Sequence, residues 1–288
     1  METRDWQILK VLSEESNITR TAEVIGISQP ALTKRLQLIE SQLGIKIVHR
    51  GRKGVHFTPQ GEYLAKWADK ILVRIREMQD HIANMSDSIS GTLRIGASTF
   101  FTRYQLPSIL KQFKDLYPNV EFKVMSGWSH DIYSLIHNRD VHVAFLRGEY
   151  TWHEKKHLLL KETLYIVSRD PVSLEELPMI PRIDYQSDRN LLAMINNWWA
   201  ENYTQPPLVG MVVDKTNTCK EMVKKGLGYA ILPGNVLGEM KPYIRKEIRD
   251  PSGRPVTRDT WMLSRWADMN LQLVKTFVDF VEGLELDI

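Results

Sequence analysis

At 288 residues the chain is longer than one small core organises and suits two or three compact units. Its net charge of +3 at neutral pH is mildly basic, which admits a nucleic-acid partner without requiring one. The single cysteine, Cys219, excludes a disulfide framework and a multi-thiolate zinc site, while the charged opening METRDWQILKVLSEESN and the lack of any long apolar run lead us to expect a cytoplasmic protein with no membrane partner.

The first elements are helical. Trp6, Ile8, Leu9, Val11 and Leu12 describe an amphipathic helix that the polar stretch SEESN ends. Asn17 is placed to cap a second helix whose Ala22, Val24 and Ile25 are expected to face inward before Gly26 breaks it. Ser28 then caps a third, where Pro30 is tolerated because first-turn amides have no intrahelical partner, and Leu32, Leu36 and Ile39 fall on one face. Two helices joined by a tight glycine turn make a helix-turn-helix. With the apolar stripe turned inward, Ser28, Gln29, Pro30, Thr33, Lys34 and Gln37 lie at the outer start of the third helix, the part that enters a major groove; Gln and Lys suit base edges and Arg35 suits phosphate. Ile45, Ile47 and Val48, followed by Val55 and Phe57, read as two short strands about a Gly51 to Gly54 turn that carries Arg50, Arg52 and Lys53, a basic wing for the nucleic-acid backbone. Cations on a merely solvated face are the plainer alternative, and the consecutive order of helix, glycine turn, capped helix and basic hairpin weighs against it.

Thr58 and Pro59 open a further helix. Leu64, Ala68, Ile71, Ile75, Met78, Ile82, Met85 and Ile89 alternate steps of four and three along it, a heptad seam that predicts a dimerising linker rather than a helix packed on its own domain. From Gly91 onward, strands such as TLRIGAS, VEFKVMSG, VHVAFLRG and LYIVSRD alternate with helical stretches, and LVGMVV and NTCKEMVKKGLGYAILP repeat the pattern, which predicts parallel α/β units in two lobes with a cleft between them. Ser98, Thr99, Ser126 and Ser129 follow strands and precede helices, Arg147 ends VAFLR, and Arg258 precedes DTWML; their convergence would suit a carboxylate-rich metabolite, with Thr218 added from the other lobe.

The run TRTAEVIGISQPALTKRLQLIESQLGIKIVHRGRKGVHFTPQGEYL resembles the LysR-type transcriptional regulators, with SQPAL, IESQLG and R-K-G-V-x-F-T-P-x-G in that family's order, and the resemblance extends through the rest of the chain. It implies a winged helix-turn-helix over 1–58, a coiled-coil linker over 59–90 and a periplasmic-binding-protein-like effector domain over 91–288. Lobe I is expected at about 91–163 and 267–288 and lobe II at about 164–266, the chain crossing near YIVSRD and WMLSRWAD. It further implies a homodimer or homotetramer on double-stranded DNA. SGWS, FLRG, NNWW, TCKEMVKKGLGYAILP and RDTWML look like the citrate-responsive regulators of the catabolite control protein C kind, which implies citrate or another small carboxylate as effector; His142 stands where many family members carry Asp.

An enzyme is not expected. Glu14 and Glu15, like Glu175 and Glu176, are adjacent and point apart; Cys219 has no spaced His partner; His130, His137 and His142 lack a ligand set; and neither GxGxxG nor a P-loop occurs. No metal or cofactor is therefore expected. A transport binding protein with the same lobes would need an export signal and would have no use for the DNA-binding segment.

Overall fold

The computed structural model describes residues 1–51, 54–85, 88–238 and 244–286, and the chain divides into two compact units, Met1–Ser86 and Asp87–Ile288. The first begins with α1 (Thr3–Glu15), α2 (Ile18–Ile25) and α3 (Gln29–Leu43). Asn17 Oδ1 accepts the Arg20 amide at 3.1 Å and Ser28 Oγ accepts the Ala31 amide at 3.3 Å, so α2 and α3 both start where a short polar side chain satisfies a first-turn donor. Ile8, Leu9, Leu12, Ala22, Leu32, Leu36 and Ile39 close a common core. Val24, expected inside, is 61% exposed: Ala22 and Ile25 share a face at a spacing of three, which turns the side chain between them outward.

Arg35 also departs from its expected role. Its Nε lies 2.5 Å from Asp5 Oδ1, and its Nη2 lies 3.0 Å from Asp5 Oδ2 and 3.1 Å from Glu2 Oε2, so the guanidinium fastens α3 to the start of α1 instead of reaching outward for phosphate. Asp5 is fully buried and could not remain ionised there without such a partner. In the last turn of α3, the buried Glu40 accepts the Ile47 amide at 2.9 Å and an ion pair from Lys46 at 2.8 Å.

Strands β1 (Val48–Gly51) and β2 (Gly54–Phe57) form the antiparallel hairpin. It is tied back to the end of α1 by the Val55 amide, which donates to Ser16 O at 3.1 Å. Arg52 and Lys53, and the side chain of Arg50, lie outside the described residues. Helix α4 (Pro59–Ala83) then starts at a tight junction: the Thr58 hydroxyl accepts the Gly61 amide at 3.0 Å and donates to Lys46 O, and a Cβ on Gly61 would lie 2.0 Å from Ile47 O. That approach explains the glycine two residues after the TP pair. Leu64, Ala65 and Ala68 pack within the first unit, so the linker helix is rooted in the core it leaves, whereas Met78 and Ile82 are 54% and 60% exposed. The helix stops at Ala83, which takes Met85 and Ile89 off the expected seam; Ile89 packs instead on a core of the second unit.

The second unit contains β3 (Gly91–Ser98), α5 (Thr99–Tyr104), α6 (Leu106–Leu116), β4 (Val120–Gly127), α7 (Ser129–His137), β5 (Val143–Arg147) and the long β6 (Lys155–Ser168). There follow β7 (Arg182–Tyr185), α8 (Arg189–Asn202), β8 (Val209–Val213), α9 (Thr216–Lys224), β9 (Ala230–Pro233), β10 (Ile244–Glu247), β11 (Thr257–Ser264) and α10 (Gln272–Glu282). The main sheet runs β10-β6-β11-β5-β3-β4, with β9 also on β6, while β7 and β8 pair separately. The parallel pairing expected holds for only part of it: β3 runs with β4 and β5, but β11 is antiparallel to both β5 and β6.

Those two antiparallel strands are the crossings between two cores. Phe101, Phe113, Phe145 and Phe277 centre lobe I; Leu164, Ile183, Trp198, Trp199 and Tyr229 centre lobe II. Leu159 packs on lobe I and Leu164 on lobe II, and on the way back Val256 packs on lobe II and Met262 on lobe I. The crossings therefore fall at 160–163 and 257–261, and the return comes earlier than the expected 266 because Thr260–Ser264 are in register with Arg147–Val143 of β5. His142 is buried at the far end of β5, where its amide donates to Arg94 O at 2.9 Å and its Nδ1 accepts the Arg94 amide at 3.2 Å, so it ties β5 to β3 away from the strand ends that face the cleft.

The Asp5–Arg35 pair makes the first unit acid-sensitive in a defined direction. Burial pushes the Asp5 carboxyl up, but hydrogen bonds from Arg35 and from the Glu2 amide outweigh it and hold the pKa below the usual carboxylate value. A folded-state pKa below the unfolded one contributes stability that is complete above about pH 4 and lost as pH falls through the folded value. Arg35→Ala should remove this stabilisation, and hydrogen exchange in α1 and α3 should then accelerate at neutral pH and reach its acid-unfolded rate at higher pH than in wild type. Equal acid midpoints for the two proteins would contradict the assignment.

Candidate effector cavity and nucleic-acid interface

A cavity of about 430 Å³ opens between the lobes of the second unit. Its walls are the carboxyl ends of β3, β4, β5, β7 and β8 and the starts of the helices that follow, which is where backbone amides point outward and ligands of open α/β sheets bind. Ser98, Thr99, Ser129, Arg147 and Arg258 all line it. Ser126 does not: it lies one residue before the lining Gly127, so strand alternation directs it away. Thr218 also misses, one position further into α9 than the lining Thr216 and Asn217.

The hydroxyls differ in what they already hold. Ser129 Oγ accepts the Arg147 amide at 3.1 Å, and Thr99 donates to Gly127 O at 3.2 Å. Ser98 is 4% exposed and, among the described residues, its hydroxyl has no hydrogen-bond partner. Helices α7 and α9 begin without a side-chain cap, leaving first-turn amides at the cavity wall, whereas α8 is capped by Asp188, whose Oδ1 accepts the Leu191 amide at 3.1 Å.

Both arginines are already paired. Arg147 donates to Glu162 Oε2, whose other oxygen accepts the Asn235 amide at 3.0 Å; Arg258 donates to Asp188 Oδ2. Arg258 and Glu162 are direct partners across β11 and β6, so two cations and two anions meet where the chain crosses between lobes. Burial raises the Glu162 pKa against the pull of Arg147 and Arg258, and burial together with the charge of Arg147 pushes Arg258 down to about 10 despite Asp188. The Arg147 guanidinium also stacks 4.3 Å from the Phe100 ring centre. Arg103 and Lys215 add cations to the walls.

Glu162, Asp188, Arg103 and Lys215 were not singled out from the sequence. Glu162 had a signal: it interrupts the buried alternation Leu160, Leu164, Ile166 on β6, an acid on an otherwise apolar face. Cys219 is fully buried, and burial pushes its thiol up to about 12, so it supplies no thiolate at neutral pH. Among the described residues no His, Cys, Asp and Glu group could hold a metal ion, and no helix is long and apolar enough to cross a membrane.

On the first unit, Ser28, Gln29, Pro30, Lys34 and Gln37 are exposed along the start of α3, with Thr33 partly buried and its Oγ1 3.4 Å from Gln29 Nε2. Among the described residues Lys34 has no ion-pair partner, which leaves its ammonium available, in contrast to Arg35.

The signature of the bacterial regulatory helix-turn-helix proteins of the LysR family matches residues 3–62, and that of the LysR substrate binding domain matches residues 86–284. The chain is 40% identical over 286 residues to the uncharacterized HTH-type transcriptional regulator YraN of Bacillus subtilis, covering 99% of each protein, and 32% identical to YkuM of the same organism over 99% of this chain and 98% of that one. Its fold is similar to those of full-length CbnR complexed with target DNA (TM-score 0.65, 17% identity, 98% and 99% of the chains) and of AphB, the Vibrio cholerae virulence activator (TM-score 0.62, 20% identity, 99% and 100%). From these matches, and from the helix-turn-helix and two-lobed domain described above, the chain belongs to the LysR family of transcriptional regulators and is not an enzyme.

Proposed function

We propose that this regulator binds operator DNA as a dimer in the cytoplasm and changes its DNA binding when a carboxylate metabolite enters the interlobe cavity. The observation that carries the effector half is the convergence on one cavity of Ser98, two uncapped helix starts and four cations from both lobes. Citrate, implied by the subgroup resemblance, is the compound we put forward first; another small carboxylate would use the same groups. Support for the DNA half comes from the outward face of α3 and from the shared fold of CbnR, which is solved with its target DNA. The exposed Met78 and Ile82 continue the seam from Leu64 and support pairing of α4 with a second copy; a tetramer, as the family resemblance implies, would add contacts between effector domains.

Replacing Lys34 by Ala should lower the preference for operator over random DNA by about 1–3 kcal/mol, read by competition binding, because a lost base contact discriminates between sequences. Equal loss on both DNAs would assign Lys34 to phosphate. Ile82→Asp places a charge on the seam and should dissociate the dimer in sedimentation at micromolar concentration; an unchanged mass would assign the stripe to packing within one chain.

For the cavity, Ser98→Ala is a cleaner probe than Arg147→Ala, which would strand the buried Glu162. It should weaken citrate binding in calorimetry roughly tenfold to a hundredfold, the equivalent of a hydrogen bond to a charged group at about 1.5–3 kcal/mol, and leave ligand-free DNA binding unchanged. Equal affinity in both proteins would remove Ser98 from the site, and no heat with citrate, isocitrate or a monocarboxylate would remove the effector reading.

A further inference from the structure

We infer that an anionic effector entering the interlobe cavity brings about one proton with it, taken up at Glu162; the inference rests on the effector reading above and goes beyond it by naming the protein group that titrates. Glu162 is 1% exposed. The groups that face it come from four elements: the Arg147 guanidinium from β5, Arg258 directly across on β11, Tyr185 from β7, and the Asn235 amide just after β9. Asp188 acts on it through Arg258. Before binding, the two guanidiniums are balanced by the two carboxylates, so the cluster carries no net charge, and each guanidinium keeps a buried Nε without a hydrogen-bond partner among the described residues.

A carboxylate drawn to Arg147 and Arg258 makes this buried cluster net negative, and a buried excess charge is relieved by protonating an acid or by expelling the ligand. Of the two acids, Asp188 is the one built into the start of an α-helix. Its ionised side chain caps α8 and lies at that helix's positive end, so neutralising it would weaken the cap. Glu162 holds no α-helix start, only the Asn235 amide of a three-residue 3-10 turn, and lies deeper, and burial has already raised its affinity for a proton. The proton leaves a buffer acid and bonds to a Glu162 carboxylate oxygen, the buffer base remains in solution, and Arg147 is released from its ion pair to serve the incoming carboxylate. The lobes are coupled by the same event, because Glu162 joins Arg147 of lobe I to the Asn235 amide of lobe II.

The test is calorimetric titration of the full-length protein with citrate at about pH 8, where citrate is fully ionised, in buffers of differing ionisation heat. Uptake of about one proton per site is expected in wild type, with citrate affinity falling up to about tenfold per pH unit as pH rises from the free-state to the bound-state pKa of Glu162. Glu162→Gln, checked for folding by its thermal melt, should bind citrate with no proton uptake and a flat pH profile. Asp188→Asn also removes one negative charge from the cluster and should likewise lose the uptake, so the acceptor is read from infrared difference spectra: the protonated-carboxyl band that appears when citrate binds the wild type should shift with carbon-13-labelled glutamate and not with labelled aspartate. Binding by wild type without proton uptake overturns the inference alone, as does uptake that persists in Glu162→Gln or a citrate-induced protonated-carboxyl band that shifts with labelled aspartate. Absence of heat with citrate, isocitrate and a monocarboxylate overturns the effector reading and this inference with it.

Discussion

Two arginines and two carboxylates buried at the crossing of β6 and β11 set the terms for everything in the second unit. Removing such charges from water is costly, and a buried pair survives only when nearly every donor and acceptor is matched. Here the groups that match come from different places, Arg147 from the end of a lobe I strand, Asn235 and Asp188 from lobe II, and Glu162 and Arg258 from the strands that join them, while the Nε of each arginine is left without a partner among the described residues. Neither lobe satisfies the cluster alone. The charges therefore fix a register between lobes as well as lining a cavity, and anything that alters them alters both at once. A ligand can bias two arrangements only through unequal affinity for them, and a cluster shared by both lobes supplies that inequality directly.

The first unit uses buried acids for a different end. Asp5 and Glu40 hold α3 at its middle and at its last turn, one taking Arg35 and the other Lys46 with the Ile47 amide. They fasten the helix to α1 and to the hairpin, so that the short polar side chains at its start are presented from a rigid support. Arg35 and Lys34 are neighbours of the same charge, yet the helix turns one towards a buried acid and the other towards solvent. The glycine approach at Gly61 continues this framework into α4, which begins inside the same core.

Most of the first unit was legible in the sequence because its signals are local. Asn17, Ser28 and Thr58 cap the helices they were expected to cap, and the stripe Leu32, Leu36, Ile39 is buried as its spacing requires. Arg35 was not legible, since its partner Asp5 lies thirty positions away and nothing in the intervening pattern connects them. Val24 needed only a closer count of helical angle. In the second unit strand ends and helix starts gave five of the seven expected cavity residues, while Ser126 and Thr218 missed by one position each, the step at which a strand or helix turns a side chain away. The antiparallel crossings escaped because apolar alternation carries no strand direction, and the carboxylate partners escaped because acids beside arginines in space are far from them in sequence.

Hydrogen exchange on the full-length protein with and without saturating citrate tests the central claim most directly. The account predicts slowed exchange at the amides that begin α7 in lobe I and α9 in lobe II together, because one ligand touches both walls of the cavity. Protection confined to one lobe, or protection elsewhere with these amides unchanged, would contradict it.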